Sequence, residues 1–268
     1  MLLSRHELES LIKQDDEGRF YAEYHGLTLH SLFQPIFSFN KTVKGYEALL
    51  RMYDENDNLV RADYFFQNAH VSLNLKTIIE SLSQIIHLRN FAHSPIREQK
   101  IFINSLPRST ENFLHSHTDT HFFIPCIEEL DLDPQKMVIE LVEFEANCNQ
   151  SLATSVAYLK ELGFIIAVDD FGVQASNETR AKLINPGIIK FDKSILKQYM
   201  MGSTEGMHQA LELCEQIKAQ ALVEGVESEQ QLSAIADLNI DMFQGFHLAK
   251  PQKIQVQHFT PALSAIAV

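Results

Sequence analysis

"MVIELVEFEANCNQSLATSVAYLKELGFIIAVDDFG" (Met137–Gly172) holds two short apolar runs, "MVIEL" and "FIIAV", on either side of "SLATSVAYLKELG". The runs have strand length, and the segment between them spaces its apolar residues as a helix does. Strand, crossover helix and strand make the repeating unit of a parallel sheet. The second run ends on adjacent carboxylates, Asp169 and Asp170, and the chain reaches a glycine at Gly172. Neighbouring side chains on a strand point to opposite faces, so the two share a site only if the strand ends between them. Like charges that close repel unless a cation or several donors hold them. The pair therefore marks either a metal site or a solvated turn.

The same unit recurs on both sides. "KIFIN", "GIIKF", "ALVEG" and "DMFQG" are further apolar runs, alternating with helix-like segments such as "MHQALELCEQIKAQ". Upstream, "SLFQPIFSF" and "VKGYEALLRMY" read as strands joined by the turn "NKT", "DENDN" as a polar loop, and "LNLKTIIESLSQIIHLRNF" as a helix. No Gly/Ser/Pro linker interrupts the rhythm, which gives one domain over 31–268 after an N-terminal helical extension over 1–30.

Polar residues stand at matching places in these runs. Asn104, Glu140, Asp169, Lys190 and Glu224 lie at or just after the C-terminal end of a strand, and Gln244 follows "DMF". In a (β/α) barrel those ends converge on one face, where active sites are built. An open doubly wound sheet would spread them along a line. Any one of them can be a helix cap or a turn residue. As a set they resist that reading, since Lys and Gln cap poorly and Glu140 lies between Ile139 and Leu141, where an unpartnered carboxylate is costly. The expected fold is α/β, a TIM-type (β/α)8 barrel.

Composition narrows the chemistry. Of 268 residues 45% are hydrophobic and 21% charged, as in ordinary globular proteins. The formal net charge is −13 with no Lys/Arg cluster, which excludes wrapping a nucleic-acid polymer. A small phosphate ligand fits only if divalent cations supply positive charge locally. Cys126, Cys148 and Cys214 are odd in number and widely spaced, which points to a reducing compartment. "MLLSRHELESLIKQDDEGRF" is too polar for a signal peptide and no run has the length of a membrane span, so a cytoplasmic protein is expected.

Several carboxylates with an amide and a lysine select a hard divalent cation. Asp169 and Asp170 can bridge two such ions, a device that activates water for in-line attack on a phosphodiester. Metal-assisted phosphoester hydrolysis leads on these grounds; an enolase-like pairing of metal and lysine stays open. "HSHTDTH" (His115, His117, His121) invites a transition metal but lacks a visible supporting shell. Cys148 and Cys214 read as packing residues.

Seven motifs in order, "EALLR", "FINSLP", "IELVEF", "VDDFG", "IIKFD", "LVEGVES" and "FQGFHLAKP", resemble the EAL-domain family, bacterial hydrolases of the second messenger cyclic di-GMP. The resemblance runs from about Phe33 to Pro251. It implies an EAL-type barrel with one antiparallel strand and hydrolysis of cyclic di-GMP to linear pGpG with Mg²⁺ or Mn²⁺ at a two-metal site. Glu47, Asn104, Glu140, Asp169 and Asp170 match the metal ligands. Lys190 matches the lysine on the attacking water, Glu224 a general base or metal partner, and Gln244 a positioning amide. Gln34, Leu50 and Arg51 match substrate contacts, and Glu143 a glutamate that pins the loop after the paired aspartates. The family implies a homodimer; a regulatory protein partner is a further expectation, and the lack of a membrane-length apolar run implies no membrane partner. Where active members continue Thr-Gly-Tyr-Ser-Ser, this chain has Val173, Gln174, Ala175, Ser176 and Asn177. Gln174 removes the glycine's ready access to positive φ. Weak or absent hydrolysis, leaving a cyclic di-GMP receptor or a protein-interaction regulator, is the alternative.

Overall fold

In the computed structural model, residues 3–106, 122–141, 149–172 and 178–256 are described. Eight strands close into a barrel in the order β3 (Leu27–Phe37), β11 (Met242–Phe243), β10 (Gln220–Val223), β9 (Ile188–Phe191), β8 (Ile165–Phe171), β7 (Met137–Leu141), β6 (Ile101–Ser105) and β4 (Val43–Tyr53), which pairs with β3 again. β3 runs antiparallel to both neighbours, and every other contact in the ring is parallel. The alternation read from the sequence is this barrel, with the early hairpin supplying the one antiparallel strand.

The join at β3 is thin. Its only register pair with β11 is Phe37–Phe243, supplemented by a bridge in which Phe33 and Gln252 exchange backbone hydrogen bonds of 2.8 and 3.1 Å.

The helices lie outside, where their apolar faces meet the strands. α3 (Leu73–Ala92) packs on the sheet through residues such as Ile79, Leu82 and Ile86, and its N-cap Ser72 accepts from the Leu75 amide. Further along, α4 (Phe123–Glu129), α5 (Asn149–Glu161), α6 (Glu178–Ile184), α7 (Lys193–Met200), α8 (Glu205–Ile217) and α9 (Glu229–Ala234) fill the crossovers. α8 buries Met207, Ala210, Leu213 and Cys214 on one face, so Cys214 packs in the core, where burial pushes its thiol up to about 12.

The N-terminal segment departs from the helical extension expected over 1–30. Among its described residues only α1 (Arg5–Ser10) is helical; β2 (Phe20–Tyr24) pairs antiparallel with β3, and β1 (Ile12–Gln14) pairs antiparallel with β2 at the edge of the sheet. The clamp is tertiary. Asn90 on α3 accepts from the Phe20 amide and donates to the Phe20 carbonyl, both at 2.8 Å, as a paired strand would. On the far edge β5 (Leu59–Val60) pairs with Met52 and Tyr53, and α2 (Ala62–Gln67) follows.

Inside the barrel Ile36, Phe102, Val138, Ala167, Ile188, Leu222 and Met242 form one apolar layer. β4 brings Gly45 to this level, paired with Ile36. A Cβ there would lie 2.8 Å from the Phe102 ring and 2.9 Å from the Lys100 carbonyl, so the missing side chain makes room for Phe102.

Candidate active site

Strand side chains alternate faces, so the next inward residue lies two positions nearer the C-terminal mouth. Stepping up from the apolar layer gives Gln34, Glu47, Asn104, Glu140, Asp169, Lys190, Glu224 and Gln244, one from each strand or its end. A dry plug thus supports a polar ring, and six of the eight are buried.

Lys190 sits at the centre. Its Nζ lies 2.8 Å from Glu140 Oε1, 2.9 Å from both Asp169 Oδ1 and Glu224 Oε1, and 3.6 Å from Glu47 Oε1. Gln244 Nε2 donates to Glu47 Oε2 at 2.7 Å, and Asn104 Nδ2 to Glu47 Oε1 at 3.3 Å. Gln34 Nε2 turns instead to the Ala249 carbonyl at 3.1 Å. Burial alone would lower the Lys190 pKa, but Asp169, Glu140, Glu224 and Glu47 outweigh it and hold the ammonium well above its ordinary range. Burial raises the Glu140 and Glu224 carboxyls, Glu47 and Asp169 add to the rise, and Lys190 only partly offsets it.

Asp170 joins the site by another route. β8 continues through Phe171, so the strand does not end between the aspartates. A register irregularity between Val168 and Phe171 and a left-handed Asp170, φ 51°, turn the chain instead. A bulge of this kind re-aims a side chain. Ligand atoms of Asp169, Asp170 and Glu224 consequently lie within 4.8 Å of one another.

Four carboxylates thus surround one ammonium with a fifth, Asp170, beside them, and among the described residues neither Glu140 oxygen has a properly aligned hydrogen bond despite its ion pair with Lys190. Such an excess of buried negative charge with all-oxygen donors fits hard divalent cations. Among the described residues Asp169, Asp170 and Glu224 bring ligand atoms close enough together to hold such an ion, with Glu47, Asn104 and Glu140 in the same ring.

A cavity of about 350 Å³ opens above this cluster, lined by Gln34, Glu47, Asp170, Glu224, Gln244 and Phe246 among others. Leu50 and Arg51 line a second cavity beside it. The sequence reading missed Phe246, 57% exposed at the mouth, and Asp192, which caps α7 and lines the first cavity. The "QGF" and "KFD" motifs carry both. Glu143, the 173–177 segment, His115, His117, His121 and Cys148 lie outside the described residues.

The EAL domain model matches residues 22–251. The chain belongs to the EAL-domain family. It is similar to cyclic di-GMP phosphodiesterase PdeF of Escherichia coli, 29% identical over 219 residues, covering 78% of this chain and 28% of PdeF. It resembles the solved EAL-domain protein YkuI of Bacillus subtilis, in complex with substrate c-di-GMP and calcium, at 25% identity and a TM-score of 0.71, over 85% of this chain and 56% of that one. The blue light- and temperature-regulated antirepressor BluF of E. coli is 21% identical over 226 residues, 82% of this chain and 54% of BluF. The chain therefore spans under a third of PdeF and about half of the other two. Among the described residues of this EAL domain, no helix is long and apolar enough to cross a membrane.

Proposed function

We propose that the protein is a metal-dependent phosphodiesterase that opens cyclic di-GMP to linear pGpG. The observation that carries this reading is the polar ring closed around Lys190, one residue from each barrel strand, in a chain of the EAL-domain family. Glu47, Asn104, Glu140, Asp169, Asp170 and Glu224 would hold two divalent cations, Mg²⁺ or Mn²⁺. Bound there, the ions supply Lewis acidity and lower the pKa of water. Lys190 Nζ orients the attacking water against the diester and balances part of the carboxylate charge. Glu224, whose Oε1 lies 2.9 Å from that ammonium, would accept the water's proton. Gln244 and Asn104 hold the Glu47 carboxylate by one oxygen each. Arg51 suits a phosphate oxygen by charge and fork geometry.

Incubation of purified protein with cyclic di-GMP and Mg²⁺ or Mn²⁺, scored chromatographically for pGpG, tests the reading. Wild-type protein should produce pGpG, and Glu47→Ala and Asp169→Ala should abolish it. Turnover unchanged in both variants would sink the site assignment. A homodimer in the cytoplasm belongs to the same proposal, and light scattering on the purified protein checks the stoichiometry.

One observation favours a second reading, a receptor that holds the nucleotide and cuts it poorly. Residues 173–177 read Val-Gln-Ala-Ser-Asn where the family has Thr-Gly-Tyr-Ser-Ser, and groups that support metal ligands set affinity and rate. Restoring Thr, Gly, Tyr and Ser at 173, 174, 175 and 177 should raise activity about 10–100-fold if this segment limits it. An unchanged rate and metal dependence would show that the present sequence already serves.

A further inference from the structure

β6 carries Asn104 into the polar ring, and the end of this strand is supported differently on its two sides. Toward β7 the register runs on through Asn104–Glu140 and Ser105–Leu141. Toward β4 it stops at Ile103, which pairs with Ala48. The carbonyl of one strand residue and the amide two residues on point to the same edge. The Asn104 carbonyl and the Leu106 amide are such a pair, and they lie just past the last β4 partner.

A helix takes the place of the strand there. Gln84 Nε2 on α3 donates to the Asn104 carbonyl at 3.1 Å, and Glu80 Oε1 accepts from the Leu106 amide at 2.7 Å. The two side chains stand one helical turn apart and meet each other, Nε2 to Oε1, at 3.5 Å. Together they offer the donor and the acceptor that a neighbouring strand would. Both are buried, Glu80 at 5% exposure and Gln84 at 4%. Burying a carboxylate and an amide is costly, and packing alone would be served by an apolar residue at either position.

Asn104 is the residue held in this way. Its Nδ2 donates to Glu47 Oε1 at 3.3 Å, so Oδ1 is the atom left to a cation, which an amide binds through oxygen. We propose that Glu80 and Gln84 are positioning residues: by fixing the backbone at Asn104 and Leu106 they set the Asn104 amide against Glu47 and the cation. The inference rests on the reading of the ring as the cation site of a phosphodiesterase.

Mn²⁺ binding without nucleotide, followed by electron paramagnetic resonance, compares wild-type protein with Gln84→Met, Glu80→Ala and Glu80→Gln. Gln84→Met, which keeps the volume and removes the donor, should weaken Mn²⁺ about tenfold, the scale on which groups that orient metal ligands act. Glu80→Ala should do the same, and Glu80→Gln, which keeps an acceptor for the Leu106 amide, should recover most of the loss. The Mn²⁺ concentration for half-maximal pGpG release should rise in step, with KM for cyclic di-GMP at saturating Mn²⁺ unchanged. Adding Gln84→Met to Asn104→Ala should cost no further affinity, since the one acts through the other. That cycle separates positioning from a loss of stability, and it decides the matter even if Glu80→Ala fails to fold. Wild-type Mn²⁺ affinity in Gln84→Met, or a second tenfold loss in the double variant, overturns the inference and leaves the function standing. Mn²⁺ affinities ordered as expected without pGpG release would support the positioning and overturn the function. A wild-type protein that binds no Mn²⁺ overturns both.

Discussion

Lys190 shows how much one side chain can carry. Four carboxylates stand within 3.6 Å of its ammonium, and its side chain is 1% exposed. Removing one partner of a buried ion pair typically costs about 3–5 kcal/mol, because the other charge is left uncompensated. Lys190→Ala should lose turnover and melt lower, and Mg²⁺ should recover more stability in the variant than in wild-type protein. Paired melts with and without Mg²⁺ check this. His87 makes a separate prediction. Its pKa near 3 in the fold lies far below the ordinary 6.5, so the unfolded chain takes up a proton first as pH falls. Stability is thus full above 6.5 and is lost toward 3, at up to about 1.4 kcal/mol per pH unit. Urea unfolding at pH 7 and pH 5 should show a steeper loss for wild-type protein than for His87→Gln; equal losses would contradict it.

At the scale of elements, the strands announce their roles by spacing. An apolar residue inside the barrel is followed two positions on by a polar one in every parallel strand but β4, where Gly45 precedes Glu47, and Ile36 and Gln34 repeat the step in reverse on β3. That made Glu140 and Lys190 readable as site residues from "MVIEL" and "GIIKF". Asp170 broke the rule, because a bulge with positive φ leaves no mark in hydrophobic periodicity. β1 and β2 were hidden for another reason. They are only three and five residues long, and what makes Phe20 part of a sheet is an amide seventy residues away on α3. Asn90→Ala should therefore release the N-terminal strands, at about 2–4 kcal/mol for two buried backbone groups left unpaired. Hydrogen exchange should quicken at Phe20–Tyr24 before it does in β6 or β7. Gly245 is the tightest spot at the mouth: a Cβ there would stand 2.1 Å from the Val226 carbonyl oxygen. Gly245→Ala must move the neighbouring Gln244, so activity should fall further than stability accounts for, as pGpG release per folded molecule would report.

For the whole molecule, the net charge of −13 and the acid-lined mouth act together. The fold holds a cluster of carboxylates that the unfolded chain disperses, so divalent cations bind the native state preferentially. At a hundredfold excess over Kd one such site adds about 2.7 kcal/mol, a rise in Tm of about 5–10 °C for a chain of this size. Chelation should reverse the rise, and Asp169→Ala should abolish it; an Mg²⁺-indifferent melting point would count against the cation site.

The thin join between β3 and β11 sets an order of events. The bond from Gln244 to Glu47 spans 197 residues of chain and closes the ring and the polar layer in one act. Contacts so distant in sequence are made only after the intervening loops have been ordered. The complete ring around Lys190 is consequently absent from partly folded states and from a nascent chain that still lacks its last strand. An ion that recognises only the finished ring stabilises the native state without stabilising the transition state that leads to it. Stopped-flow measurements should find that Mg²⁺ slows unfolding and leaves the refolding rate where it was.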